Sequence, residues 1–180
     1  MEDLYFDVGP SAGQGSVVVD SPVGKFVILA SLAGITGICF EPIRIDNTHG
    51  DHSAAKDHLD AAAFQFDEYF AGKRIKFQLA LDTHGTKFQQ AVWEATQGVA
   101  FAETVTYGDI ARSIGSIGAA RAVGSALRAN PLPIIVPCHR VVGVGGRLAG
   151  FSLGLSLKRE LLEYEARQVV SGQYSPYTGQ

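Results

Sequence analysis

Apolar residues recur with one period before Asp82–Gly85 (DTHG) and with another after it, so the chain reads as two folding units of different class. Upstream, Ser16–Asp20 (SVVVD), Lys25–Ser31 (KFVILAS) and Thr36–Glu41 (TGICFE) read as short strands. Ser-Pro-Val-Gly and Ala-Gly-Ile lie between them as turns, which predicts an antiparallel meander. Ser53 then stands as the cap of a helix running to Phe70, with Leu59, Ala63, Phe66 and Phe70 on one stripe. Phe77, Leu79 and Leu81 alternate as a further strand. Downstream the pattern turns helical. Thr86-Lys-Phe-Gln is a capping-box sequence opening a helix whose buried face is Phe88, Ala91, Val92, Ala95 and Val99. The expected class is α+β, with a small antiparallel sheet and helix over 1–82, a mostly helical domain over 86–170 and a tail over 171–180.

Of the 180 residues, 46% are hydrophobic and 18% charged, which suits a packed core and argues against disorder. No apolar run approaches the roughly 18 residues of a membrane span. The N-terminal MEDLYFDVGP is acidic where a signal peptide is basic, so a soluble, cytoplasmic protein is expected. Two cysteines, Cys39 and Cys138, make neither a disulfide framework nor a cysteine-rich zinc site. Cys39, between Ile38 and Phe40, reads as an inert core thiol. His49–His52 (HGDH) reads as a solvated turn and not as a metal site, so neither metal nor cofactor is expected.

The net charge of -3 conceals an asymmetry: residues 1–85 carry six Lys/Arg against twelve Asp/Glu, residues 86–180 nine against six. Between Thr106 and Gly150 five arginines (Arg112, Arg121, Arg128, Arg140, Arg147) meet one acid, Asp109. A local basic surface of this kind suits a polyanion, and equally suits five solvated arginines. Thr106 opens a short helix, TYGDIARSI, closed by Gly115. A second, AARAVGSALR (Ala119–Arg128), stops at Asn130-Pro131. The pair has the form of a helix-turn-helix, with Arg121 and Arg128 in its second helix.

The densest chemistry lies in Pro131–Val142 (PLPIIVPCHRVV). Pro137 restrains the backbone before Cys138, and the neighbouring imidazole of His139 and guanidinium of Arg140 are suited to stabilising a thiolate. On an extended chain, side chains at adjacent positions point apart, so coupling of Cys138 to His139 calls for a bridging water. Ser156–Gln168 reads as a helix in which Leu157, Leu161, Glu165 and Gln168 share a stripe. Glu165 therefore falls on an apolar face. It is either an exposed acid near a fraying end or a buried one that needs a partner, and His139 is the only histidine beyond residue 86. A Cys–His–Glu relay would follow.

IIVPCHRVV strongly resembles the signature of the O6-alkylguanine-DNA alkyltransferases, proteins that repair DNA by direct reversal. DSPVGKFVILASLAGITGICF, GTKFQQAVWEA, TYGDIA, GAARAVGSALRANP and LKRELLEYE resemble further segments of that family, in order, over residues 15–168. The resemblance implies a ribonuclease-H-like N-terminal domain and a protein that takes the alkyl group from O6-alkylguanine, and from O4-alkylthymine, onto its own Cys138. It implies that His139 acts through water as base, that Glu165 orients it, that Tyr107 assists the departing guanine and that Asn130 braces the turn before the reactive segment. Arg121 would enter the base stack, with Ala120, Ser125, Arg128 and Tyr107 on the DNA, and Val141, Phe151 and Ser152 would line the guanine pocket.

The implied partner is double-stranded DNA, held through the minor groove with the damaged base turned out, by a monomer. Departures from the family pattern are Ala100 and Ala102, where many members have proline and glycine, and Leu153, where glycine is common. Three other readings stay open on the sequence: a lesion sensor that performs no transfer, a helix-turn-helix transcription factor, and a cysteine hydrolase.

Overall fold

A computed structural model of the chain describes residues 14–40 and 55–172. The HGDH turn, Ser53 and the tail beyond residue 172 lie outside the described residues. The chain divides into two compact units, Met1–Thr83 and His84–Gln180.

In the first unit, β1 (Gly15–Ser21), β2 (Gly24–Ala30) and β3 (Ile35–Phe40) form an antiparallel sheet in that order. Val17 pairs with Ile28, and Phe26 with Phe40. The turn into β2 needs a glycine: Gly24 has φ +122°, and a Cβ there would stand 2.5 Å from the Phe40 ring. Helix α1 (Lys56–Phe70) packs on β1 and β2. Its N-cap is Ala55, which makes no side-chain cap bond. The buried stripe is Leu59, Ala62, Phe66 and Tyr69, so it lies slightly around the helix from the expected one: Ala63 and Phe70 are only half-buried.

The strand expected at Phe77–Leu81 is instead an extended segment with a single parallel bridge, Leu81 to Ile35. Two bonds make that contact, from Ile35 N–H to Ala80 O (2.9 Å) and from Asp82 N–H to Ile35 O (2.9 Å). Further back, the side-chain amide of Gln65 on α1 replaces a neighbouring strand. It accepts from the Gln78 N–H at 2.7 Å and donates to the Gln78 carbonyl at 2.8 Å. The alternation at Phe77–Leu81 predicts a ladder, but the backbone groups of Gln78 are satisfied by a side chain.

The second unit opens with α2 (Lys87–Gln97), capped by the Thr86–Gln89 capping box. Its buried residues are Val92, Trp93 and Thr96, with the alanines of the expected face only partly covered. The Trp93 indole donates to the Ala126 carbonyl at 2.9 Å, fastening α2 to α4 (Ala120–Arg128). Between them, the two-residue strand β4 (Val105–Thr106) leads into α3 (Tyr107–Ser113), whose N-terminus carries a second capping box, Thr106 with Asp109. Gly115 (φ +70°) and Gly118 (φ +85°) turn the chain from α3 into α4. Strand β4 pairs in parallel with β5 (Val141–Val142), which brings the start of α3 to the segment just after Cys138. Helix α5 (Leu155–Val170) then packs on the turn at Cys138–Arg140.

Candidate active site and nucleic-acid interface

Residues 131–137 are buried to an unusual degree and make a strained turn. Ile134, a β-branched residue, has φ +76°. Asn130 at the end of α4 holds this turn on both sides. Its Oδ1 accepts from the Leu132 N–H (3.0 Å), and its Nδ2 donates to the Val136 carbonyl (3.0 Å) and to Cys138 Sγ (3.2 Å). Cys138–Arg140 is one turn of 3-10 helix and not extended chain, which corrects the expectation of opposed neighbouring side chains.

Glu165 is fully buried, so the exposed alternative is discarded. Its carboxylate accepts from His139 Nε2 at 2.9 Å, from Arg140 Nε at 3.0 Å and Nη2 at 2.8 Å, and from the Ala102 N–H at 2.8 Å. Burial alone would raise the Glu165 pKa, but hydrogen bonds and charge from His139 and Arg140 hold it well below the ordinary carboxylate range. An ionised carboxylate only accepts, so His139 carries its proton on Nε2. Its Nδ1 is buried without a hydrogen-bond partner among the described residues. Desolvation keeps the His139 pKa below its ordinary value in spite of Glu165, so the ring is neutral and Arg140 is the counter-charge.

Arg140 differs from expectation. Its guanidinium is taken up by Glu165 and by the Val99 carbonyl (2.7 Å), and it lies over the Phe101 ring, so it is not turned to the thiol. Burial pushes the Cys138 thiol up to about 11, while the Asn130 hydrogen bond and the charge of Lys158 pull it down. Lys158, one residue past Leu157 on α5, was missed in the sequence, although it lies seven positions before Glu165 and so on its stripe. The Lys158 ammonium donates to the carbonyls of Val141 (2.6 Å) and Ala149 (2.9 Å) and lies 5.8 Å from the Tyr107 ring centroid. The Tyr107 hydroxyl donates to the Ala149 carbonyl, and burial followed by the nearby thiolate charge raises its pKa.

Beside this centre, a cleft of about 470 Å³ is lined by Tyr107, Ala120, Arg121, Gly124, Ser125, Arg128, Ala149 and Gly150. Arg121, Ser125 and Arg128 are exposed along one side of α4, and Ser125 Oγ donates to the Arg121 carbonyl at 3.3 Å. All the residues expected on DNA therefore share one depression with Tyr107. The expected pocket residues do not join them there. Val141 is fully buried, Phe151 half-buried and Ser152 exposed, and none of the three lines the cleft. Cys39 is half-buried in β3, and burial keeps its thiol above the ordinary value.

Two family models match the chain: 6-O-methylguanine DNA methyltransferase, ribonuclease-like domain, over residues 17–83, and 6-O-methylguanine DNA methyltransferase, DNA binding domain, over residues 87–167. A methylated-DNA--protein-cysteine methyltransferase of Mycobacterium leprae is 41% identical over 158 residues, covering 85% of this chain and 93% of the relative. One from Mycobacterium tuberculosis is 44% identical over 154 residues, covering 82% and 89%. Among solved structures, the M. tuberculosis O6-methylguanine methyltransferase superposes with a TM-score of 0.71 at 38% identity, over 86% of this chain and 94% of the other. The M. tuberculosis protein OGT in complex with DNA gives the same TM-score and identity over 84% and 92%.

Proposed function

The chain belongs to the 6-O-methylguanine DNA methyltransferase family, and on that premise we propose that it repairs alkylated DNA by moving the alkyl group from the guanine 6-oxygen to its own Cys138. The observation that carries this reading is the arrangement around the thiol. Asn130 donates to Sγ, the next residue is a neutral histidine with an unpaired Nδ1, and the far nitrogen of that histidine is held by a buried carboxylate.

A guanine in a duplex cannot reach a buried thiol, so the nucleotide turns out of the stack at a cost of about a few kcal/mol. DNA lies with its minor groove on α4, Arg121 fills the vacated place, and Arg128, Ser125 and Ala120 meet the strand. The thiol proton passes through water to His139 Nδ1, and Glu165 stabilises the imidazolium so formed. The thiolate attacks the alkyl carbon; the S–C bond forms as the C–O bond breaks. Tyr107 exchanges its bond to the Ala149 carbonyl for one to the leaving guanine, which gains, in the balance of the reaction, the proton that the thiol lost. The pocket is completed by Val141, Phe151 and Ser152, which requires the 149–152 segment to rearrange around the base. O4-alkylthymine presents the same alkyl–oxygen bond. The product thioether offers water no leaving group, so each monomer acts once, in the compartment that holds the DNA: the cytoplasm, or the nucleoid in a bacterium.

Excess duplex containing O6-methylguanine should add one methyl mass per protein, mapping to the Cys138 peptide, and then stop. Cys138→Ser should bind DNA without transfer. Repeated turnover, or methyl on Cys39, overturns the proposal. A sensor or a transcription factor makes no use of the Asn130–Cys138–His139–Glu165 arrangement, and a hydrolase would turn over.

The assignment of Arg121 is separable. Arg121→Ala should slow transfer from saturating duplex DNA by at least about tenfold, roughly 1.4 kcal/mol, and leave reaction with free O6-methylguanine base nearly unchanged. Equal losses on both substrates would make it a support of the fold.

A further inference from the structure

The cleft beside Tyr107 is charged along one element only. Its α4 lining carries Arg121 and Arg128, whereas the lining supplied by the rest of the unit, Tyr107, Ala149 and Gly150, carries no charge. Two residues before Ala149 stands Arg147, exposed, with its Cα at most about 7.6 Å from that of Ala149. Residues 110–159 contain no Asp or Glu. Acids beyond that range reach two of its arginines, Arg112 through Asp109 and Arg140 through Glu165. Arg121, Arg128, Arg147 and Arg159 pair with no carboxylate among the described residues. Of these, Arg159 lies on α5, none of whose residues lines the cleft.

The backbone of Arg147 is fixed although its side chain is not. The Gly143 N–H donates to the Arg147 carbonyl at 2.7 Å and the Gly146 N–H to the Gly143 carbonyl at 3.0 Å, which closes a loop directly after β5. Gly145 (φ +72°) and Gly146 (φ +76°) make the turn, and a Cβ on either would meet nothing within 4 Å. An unpaired guanidinium on a tied loop, at the edge of a cleft already lined by two others, is suited to a phosphate.

We propose that Arg147 contacts a backbone phosphate of bound DNA and so positions the strand from the part of the cleft that α4 does not supply. The same segment runs on to the Ala149 carbonyl, which accepts from Tyr107. A phosphate held at Arg147 is therefore in register with the hydroxyl that assists the leaving guanine. Contacts of this kind fix register and carry no sequence information. Arg147 is a positioning residue, and no bond or proton changes place there.

The inference rests on the DNA-repair reading, but its test needs no transfer. Binding of an unmodified duplex to the full-length protein is followed by fluorescence anisotropy from about 0.05 to 0.2 M salt. Each phosphate contact contributes about 0.9 to the slope of log affinity against log salt. Arg147→Ala keeps the loop's backbone bonds and should lower that slope by about 0.9, so the parent's advantage shrinks about threefold across the range, alike for unrelated sequences. Arg147→Lys should keep the slope. Arg167→Ala, which removes a cation paired with Glu163, should leave it unchanged. Reaction of Arg147→Ala with free O6-methylguanine base should match the parent, because the base has no phosphate.

A folded Arg147→Ala protein with the parent's slope overturns the proposal. An equal loss of slope in Arg167→Ala also overturns it, since the DNA would then be reading net charge and not place. A slower reaction with free base would make Arg147 a support of the active site and overturn it too. Absence of methyl transfer in the parent, with the slope difference intact, would instead remove the transfer reading and leave the phosphate contact standing.

Discussion

The two units bury opposite kinds of side chain. In the first, Phe26, Phe66, Phe70, Phe77 and Tyr69 form a continuous aromatic cluster with ring centroids 4.9 to 6.3 Å apart, and Gln65 is the one buried polar residue described. In the second, Thr96, Asn130, His139, Arg140, Lys158 and Glu165 are all buried, and four of these six are ionisable. Ring packing is non-directional and stabilises by area removed from water. Buried charge stabilises only while every partner is present. The first unit should therefore tolerate changes of shape, and the second should fail sharply when one partner is removed.

The largest effect is expected at Glu165, which serves His139, Arg140 and the Ala102 N–H together. Glu165→Ala leaves a guanidinium and a backbone donor without their acceptor and should destabilise by about 3–5 kcal/mol in urea unfolding. Glu165→Gln keeps the shape and should slow transfer by at least about tenfold, near 1.4 kcal/mol in the barrier. A rate unchanged in a folded glutamine variant would place Glu165 outside the relay.

The same pair sets the acid side of stability. Both Glu165 and His139 have folded pKa values below their ordinary 4.5 and 6.5, so the unfolded chain takes up protons first. Their contribution is complete above those values and is lost as pH falls, first below about 6.5 through His139 and then below about 4.5 through Glu165. Thermal midpoints measured down the pH scale should fall along both limbs in the parent, and the lower limb should flatten in Glu165→Gln. Parallel curves would mean that Glu165 is not ionised in the folded protein.

A smaller effect is expected in the aromatic cluster. Phe66 is fully buried against Phe26, Phe70 and Phe77. Phe66→Leu keeps the site apolar but removes three carbons and should cost about 1–2.5 kcal/mol, with the iodoacetamide labelling rate of Cys138 unchanged in the folded molecules. A cost as large as that of Glu165→Ala would erase the contrast between the two units.

Local signals carried much of this architecture. The three strands, the Thr86 capping box, the helix start at Thr106, the glycine-turned helix pair and the stripe that buries Glu165 are written in short-range patterns. What escaped them depended on contacts distant in sequence. Gln65 occupies the place of a strand only because α1 lies alongside residue 78. Trp93 outranks the alanines of its helix because its indole reaches Ala126. Lys158 is not legible in the sequence because a lysine near the start of a helix ordinarily runs its charge out to solvent even from an apolar stripe, and only the carbonyls of Val141 and Ala149 make its burial tolerable. Arg140 shows the reverse: its adjacency to Cys138 suggested a role that its distant bond to Glu165 takes away.

The smallest effect concerns Ala102, which stands in the loop before Tyr107. Its φ is +60°, a conformation that costs an L-residue with a Cβ about 1–2 kcal/mol. The strain persists because the Ala102 N–H is tied to Glu165 at 2.8 Å. Ala102→Gly removes the steric penalty and adds about 0.5–1 kcal/mol of backbone entropy to the unfolded chain, so the net gain should be about 0.5 kcal/mol. That corresponds to a rise of roughly 1–2 °C in Tm for a chain of this length. The hydrogen bond is made by backbone and survives the change, so the transfer rate should hold. Ala102→Val, β-branched at the same φ, should move Tm the other way. A glycine variant that melts below the parent would mean that the methyl group of Ala102 packs better than its conformation costs, and that the polar unit leans on apolar contact more than its buried charges suggest.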